Sequence, residues 1–355
     1  MGGRLLVAAP DKYRGSLSAL EVAAAMASGG AAAGWDTLEV PLADGGEGTL
    51  EVLGGANRRS RVTGPSGGPV EAGWRLEGDR AVIEVAAAAG LVLAGGPGRN
   101  DPLGATSAGV GELIAAAADQ GAREVIVALG GSASTDGGIG AVSALGGRRF
   151  AELGLTVRVA CDVTTRFLDA ARVFGPQKGA DPAQVEALGE RLGAVAGRYR
   201  SRFGVDVTGL VGSGAAGGLA GGLAALGASL ESGLELVAAV AGLDRALTAA
   251  GGTDNSGSVA GGGARRVGAV ATGEGLLDAT SLAGKVVGGV AAHARRLGLP
   301  VLAVVGRSAL DPDEHPPGLD VVSLTDTYGA ARSWSEPARL VTEVTTAWLR
   351  GLPRD

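Results

Sequence analysis

Four short apolar runs in this chain each end in a loop of small residues that carries an acid. Residues 4–9 close at Pro10-Asp11 and residues 37–42 at Ala43-Asp44-Gly45-Gly46-Glu47. Residues 156–160 close at Cys161-Asp162 and residues 267–271 at Thr272-Gly273-Glu274-Gly275. The run at 124–129 adds Asp136 a few residues later. Continuous apolar runs of this length are the mark of strands buried on both faces. Helical patterns lie between them, and the alternation implies α/β architecture around a mainly parallel sheet. In such sheets ligands bind outside the carboxyl ends of the strands, which is where these acids fall.

The helical segments have their own signals. Ser18-Ala19-Leu20-Glu21 is a capping box, opening a helix predicted to stop at Gly29-Gly30. Val110, Leu113, Ile114, Ala117 and Ala118 mark one helix face, residues 184–202 form a charged helix, and VVGGVAAHARR forms another. From about 58 to 93 the texture changes to alternating apolar and polar residues with turns at GPSGG and EGD, an antiparallel hairpin. It reads as the entry to a second domain, with the loop at 251–263 as the return. The 65 glycines cluster between apolar runs, which argues for loops in a folded chain over disorder.

A formal net charge of -6 with no long basic run gives no surface for nucleic acid or membrane. The single cysteine, Cys161, excludes an internal disulfide framework. The start MGGRLLVAAPDKYRG reads as a first strand and not a signal peptide, and no apolar run reaches the roughly 20 residues that span a bilayer. The expected location is the cytoplasm.

Several acids at strand ends, two histidines and no cysteine pair suggest Mg²⁺ held by oxygen ligands and phosphates. Any one of these acids is equally consistent with a helix or turn cap. No GxxxxGK[ST] is present, because Gly284-Lys285 is followed by Val286. The GxGxxG at 212–217 lacks a strong preceding strand, so it supports a phosphate site better than a dinucleotide oxidoreductase. Gly64-Pro65-Ser66-Gly67-Gly68 sits in a hairpin turn, unlike a nucleophile elbow, and His293 and His315 flank nothing that suggests catalysis. Arg14, Lys178 and Lys285 lie in glycine-rich loops beside acids, which suits charge neutralisation in phosphoryl transfer.

These residues resemble the bacterial glycerate kinases. Pro10-Asp11-Lys12-Tyr13-Arg14-Gly15-Ser16-Leu17 is similar to the family's PDSFKxSL, and Ala43-Asp44-Gly45-Gly46-Glu47-Gly48-Thr49 matches ADGGEGT. The stretches 100–106 and 111–114 resemble RxPLxAT and GELI, 130–138 is similar to GGSATNDGG, and FGPQKGA at 174–180 is unchanged. Gly214-Ala215-Ala216-Gly217-Gly218-Leu219 and Thr272-Gly273-Glu274-Gly275, with Asp278 and Gly284-Lys285, complete the set. The matches run in order from about 10 to 285, while the last 60 residues match less clearly. Lys12-Tyr13, Arg14, Ser134 and Thr280 depart from the family pattern without removing an acidic or cationic group.

The resemblance implies ATP-dependent phosphorylation of D-glycerate, usually at the 2-hydroxyl. A kinase for another small hydroxy acid and a non-catalytic ligand-binding relative are the alternatives, and a homodimer is left open. It implies two α/β domains, a discontinuous flavodoxin-like (Rossmann-like) domain from 1–60 and 260–355 and an inserted mixed α/β domain from 61–259, with the active site in the cleft between them. Asp44, Glu47, Glu274 and Asp278 would hold Mg²⁺ or polarise the attacking hydroxyl, and Asp11 or Asp136 would accept its proton. Arg14, Ser16, Lys178 and Lys285 would bind the glycerate carboxylate and the phosphates. Amides at Gly130, Gly131, Ser132, Gly214, Gly217 and Gly218 would cradle phosphate oxygens.

Overall fold

A computed structural model describes residues 4–248 and 266–353. Its strands in chain order are β1 (Arg4–Ala8), β2 (Asp36–Glu39), β3 (Arg58–Thr63), β4 (Pro69–Glu77), β5 (Arg80–Glu84) and β6 (Glu124–Ala128). They continue as β7 (Thr156–Ala160), β8 (Ser229–Glu231), β9 (Arg266–Leu277), β10 (Val301–Ser308) and β11 (Leu319–Ser323). The chain divides into two compact units, one of residues 1–44 with 234–355, the other of residues 45–233. The change of texture near 58 marks β3, but the chain has already left the first unit at Asp44. The expected return loop at 251–263 lies outside the described residues, and the second crossing falls earlier, between Gly233 and Leu234.

The first unit holds a five-stranded parallel sheet in the order β11-β10-β9-β1-β2. This is the flavodoxin-like order 2-1-3-4-5 once the strands of this unit are counted alone, and its strand order reverses between β1 and β9. β1 and β10 are buried almost throughout, as runs such as RLLVA and VLAVV require of central parallel strands. Leu6, Met26, Leu302, Leu340 and Val341 pack the layer between this sheet and the helices Ala19–Ala33 and Pro337–Gly351.

The capping box forms as expected, with Glu21 N donating to Ser18 Oγ and Ser18 N to Glu21 Oε2. The stop does not. The helix runs through Gly29 and Gly30 to Ala33 and ends at Gly34, whose φ of 80° is left-handed. A Cβ on Gly29 would stand 2.7 Å from Thr345 Cβ and one on Gly30 2.4 Å from Thr37 Oγ1, so the first lets the C-terminal helix approach and the second lets β2 do so. Close packing, and not helix termination, is their purpose.

The second unit holds a six-stranded sheet, β3-β4-β5-β6-β7-β8, antiparallel from β3 to β5 and parallel from β5 to β8. The expected hairpin is β3–β4, and its GPSGG turn closes through Gly64 N to Gly68 O at 2.6 Å. Trp74, Ile83, Leu113, Ile114, Val127, Phe150 and Tyr199 fill its core. Residues 212–217 follow a turn rather than a strand, which removes the strand–loop–helix setting a dinucleotide fingerprint needs.

Candidate active site

β9 runs on through its acid. Instead of ending at Ala271 it continues to Leu277, because β10 pairs with it as far as Ser308 and sets Glu274 opposite Val305. The chain after β1 stays hydrogen-bonded to it, with Ala9 N to Ala271 O at 2.7 Å and Asp11 N to Gly273 O at 2.8 Å. Thr272 Oγ1 donates to Ala9 O at 2.8 Å, and Tyr13 Oη, buried, donates to Val304 O at 2.7 Å. A Cβ on Gly273 would meet Val304 O at 2.1 Å, so only glycine lets Tyr13, β9 and β10 meet beside Glu274. On the other side Val40 N reaches Ala8 O and Leu42 N reaches Pro10 O, carrying the chain beside β1 to Asp44. Asp11 thus stands past the carboxyl end of β1 and Glu274 near that of β9, at the reversal of strand order, with Asp44 close enough for its charge to act on Asp11.

Burial pushes the Asp11 carboxyl up to about 6. The Lys12 charge opposes this and the Asp44 charge adds to it. Lys12 N donates to Asp11 Oδ1 at 2.7 Å and its ammonium lies 3.8 Å from the same oxygen. Glu274 is pushed to about 7, again chiefly by burial. A Ser281 hydrogen bond and the Lys285 charge act against the shift, while the Asp11 and Asp278 charges reinforce it. Glu274 Oε1 is buried and has no hydrogen-bond partner. Two half-buried carboxyls, both raised chiefly by desolvation, with the Asp11 charge disfavouring ionisation of Glu274 and one Glu274 oxygen orphaned, are a site for positive charge.

Asp278 reaches Glu274 by its charge, but its own carboxylate is committed elsewhere. Its Oδ1 accepts from Thr280 N, Thr280 Oγ1 and Ser281 N at 2.6–3.0 Å, so it caps the short helix Ala279–Leu282. Lys285 holds the N-cap position of the helix Val286–Arg296, and its charge favours the ionised forms of both Asp11 and Glu274. Arg14 is exposed and Ser16 bonds back to Tyr13 O, both in the loop that follows Asp11. Glu47 belongs to the second unit and is exposed. Among the described residues no three His, Cys, Asp or Glu side chains form a metal-sized group. One or two carboxylates with phosphates and water are what Mg²⁺ ordinarily takes, and Glu274, with its unpartnered Oε1, fits that demand.

The second unit gathers Asp136 and Lys178 around the loop 130–138. Asp136 Oδ2 accepts from Ser107 N, Ser107 Oγ and Gly140 N, and its Oδ1 from Gly138 N, all at 2.8–3.2 Å. With its acceptor sites so occupied, Asp136 organises backbone and is badly placed to take a substrate proton. Lys178 is 2% exposed, and its Nζ donates to Ser132 Oγ at 2.9 Å and Ser134 O at 2.6 Å. Burial lowers its ammonium to about 7, against the Asp136 charge. The hydroxyls of Ser134 and Thr135 are buried there without partners.

The glycine amides divide. Gly214 N donates to Thr165 O and Gly218 N to Gly214 O, and a Cβ on Gly217 would meet Ser134 O at 2.1 Å. Those glycines serve close backbone packing and the amides of Gly214 and Gly218 are already used, contrary to the cradle expected of them. Gly131 is exposed, and Gly130 is a glycine because the Glu47 amide would lie 2.5 Å from its Cβ. Asp162, at the remaining strand end, accepts from Gly233 N at 2.8 Å.

Sequence reasoning missed three supporting residues. Tyr13 registered only as a family departure, Ser107 carried no motif, and Asn100, whose side chain donates to Lys178 O and Ala133 O, stood inside a matched segment without a role. Their signal is burial of a polar group, which a single sequence does not print.

The model of the glycerate kinase family matches residues 6–157 and 152–350. The chain is 39% identical to glycerate 2-kinase of Escherichia coli (strain K12), over 89% of each chain. It is 35% identical to glycerate kinase of Bacillus subtilis (strain 168), over 93% of this chain and 94% of that one. A crystal structure from Salmonella typhimurium LT2, assigned as glycerate kinase 2, superposes with a TM-score of 0.79 at 35% identity, covering 98% of this chain and 99% of that chain.

Proposed function

This chain belongs to the glycerate kinase family, and from that premise we propose that it transfers the γ-phosphoryl group of ATP to D-glycerate, forming 2-phosphoglycerate. The observation that carries the reading is the half-buried pair Asp11 and Glu274 at the point where the strand order reverses, beside Lys285. Transfer of a phosphoryl group asks for positioning and for charge placed around the transferring oxygens. Mg²⁺, which Glu274 would hold, supplies neutralisation of the phosphate oxygens when bound.

Asp11 is the proton acceptor in this reading. With its carboxyl at about 6 it is mostly ionised at neutral pH yet basic enough to take a proton. As the glycerate 2-hydroxyl oxygen bonds to the γ-phosphorus, its proton passes to Asp11, and the bond from phosphorus to the bridging oxygen breaks to release ADP. Lys285 and Arg14 bind the phosphates and the glycerate carboxylate. Lys178 works through the loop it ties, fixing Ser132 and the Gly130-Gly131 backbone. The test is to incubate the protein with ATP, Mg²⁺ and D-glycerate and follow ³¹P NMR. The expected product carries phosphorus on the 2-hydroxyl, and absence of ATP-dependent transfer to glycerate would overturn the reading.

A further inference from the structure

Trp334 is 67% exposed, in a chain whose Trp35 and Trp74 are 7% and 0% exposed. Its ring borders a recess of about 430 Å³ lined by Gly15, Ser16, Ser335, Glu336 and Arg339. One edge of the indole lies against Gly15, 3.4 Å from where a Cβ would stand, and Gly15 has a left-handed φ of 83°. That glycine allows the loop to pass under the ring.

The place of the recess in the unit matters more than its size. Thr342 Oγ1 donates to Ala25 O and Thr346 Oγ1 to Gly29 O, so the helices Ala19–Ala33 and Pro337–Gly351 run side by side in one direction. Their first turns therefore come together at the carboxyl end of β1, the end that carries Asp11. Tyr13 and Leu17 exchange backbone hydrogen bonds of 2.8 and 3.0 Å, which fixes Gly15 and Ser16 in a closed turn. That turn begins two residues after Asp11, and four extended residues reach at most about 14 Å.

We propose that Trp334 is the stacking platform for the purine base of the phosphoryl donor, whose sugar and phosphates run past Arg14 toward Asp11, Glu274 and Lys285. The inference rests on the kinase reading above. An exposed indole has a flat apolar face that a base covers well. A three-carbon hydroxy acid has no such face and would leave most of the recess unfilled. Ser335 and Glu336 supply acceptors for an amino group on the base. Glu336 is held in place by Arg339 at 3.1 Å, with Arg332 at 3.8 Å. The phosphates meet Arg14, which is exposed in the same loop.

The experiment compares the full-length wild type with Trp334→Ala and Trp334→Phe by calorimetric titration with ADP and with inorganic tripolyphosphate, both with Mg²⁺. KM values for ATP and D-glycerate are measured beside them. Stacking on a base is worth enough that Trp334→Ala should weaken ADP about tenfold or more, leave tripolyphosphate unchanged, and be rescued largely by Trp334→Phe. The KM for ATP should rise while that for glycerate holds. Equal ADP binding in wild type and Trp334→Ala would overturn the platform while leaving the kinase reading intact. A wild type that neither binds nor uses any nucleotide would bring down both. A shift in sedimentation of Trp334→Ala with ADP binding unaltered would make the ring a contact between copies, and the inference would be wrong.

Discussion

Replacing Glu274 by Gln should make the protein more stable and less active, and the stability gain should depend on pH. The carboxyl titrates at about 7 in the folded chain against 4.5 ordinarily. Between those values the folded protein holds a proton that the unfolded chain has released, so wild-type stability falls as pH rises through the window. The difference corresponds to about 3 kcal/mol at about 1.36 kcal/mol per unit. Glutamine keeps the shape and cannot ionise, so the gain should be near zero below pH 4.5 and approach about 3 kcal/mol above pH 7. Urea unfolding of both proteins at pH 4.5 and 8.5 reads it directly, from the midpoint at constant slope. Turnover in the same variant should fall about 10²-fold, because the removed charge is the one the site was built around. A variant less stable than wild type at pH 8.5, or a difference that ignores pH, would refute the reasoning.

Lys12→Ser should raise the lower pKa of the kcat/KM profile and Asp44→Asn should lower it, since the two charges act on Asp11 in opposite directions. Shifts of the same sign would remove Asp11 as the base. Lys178→Met should cut turnover about 10²-fold and speed hydrogen exchange at 130–136, where its ammonium ties Ser132 and Ser134. Unchanged exchange would deny it the positioning role. Excess EDTA should stop phosphoryl transfer and added Mg²⁺ should restore it, with full activity in EDTA as the contrary result.

The strands and their acids were legible because apolar runs and punctuating glycines are local signals. β6, β7 and the helix Val286–Arg296 fall where the pattern places them, give or take a residue. What each acid does was not legible, because it depends on neighbours distant in the chain. Asp11, Asp136, Asp162 and Asp278 look alike in sequence, yet Asp162 and Asp278 cap, Asp136 is saturated by Ser107 and two glycine amides, and Asp11 is left half-buried beside Lys12. The glycines misled in the same way. Gly29, Gly214 and Gly217 carry no positional label that separates a helix stop or an anion cradle from a tight crossing of backbones. His293 flanked nothing suggestive in sequence, but its ring nitrogens meet Asp244 at 2.7 Å and Glu235 at 3.3 Å. No spacing rule links residues 49 and 58 positions apart.

β1 is an interior strand of its sheet, yet Leu6 pairs with Ala269 and so waits for a partner 263 residues downstream. At about 5–20 residues per second the ribosome takes tens of seconds to deliver it. Meanwhile residues 45–233 have emerged as a continuous segment that holds every strand of its own sheet. Synthesis therefore imposes an order, with the interrupted unit completed last and RLLVA, an apolar edge in search of a neighbour, exposed throughout. A chaperone that shields that N-terminal segment should raise the yield of active protein more than one that assists the finished chain.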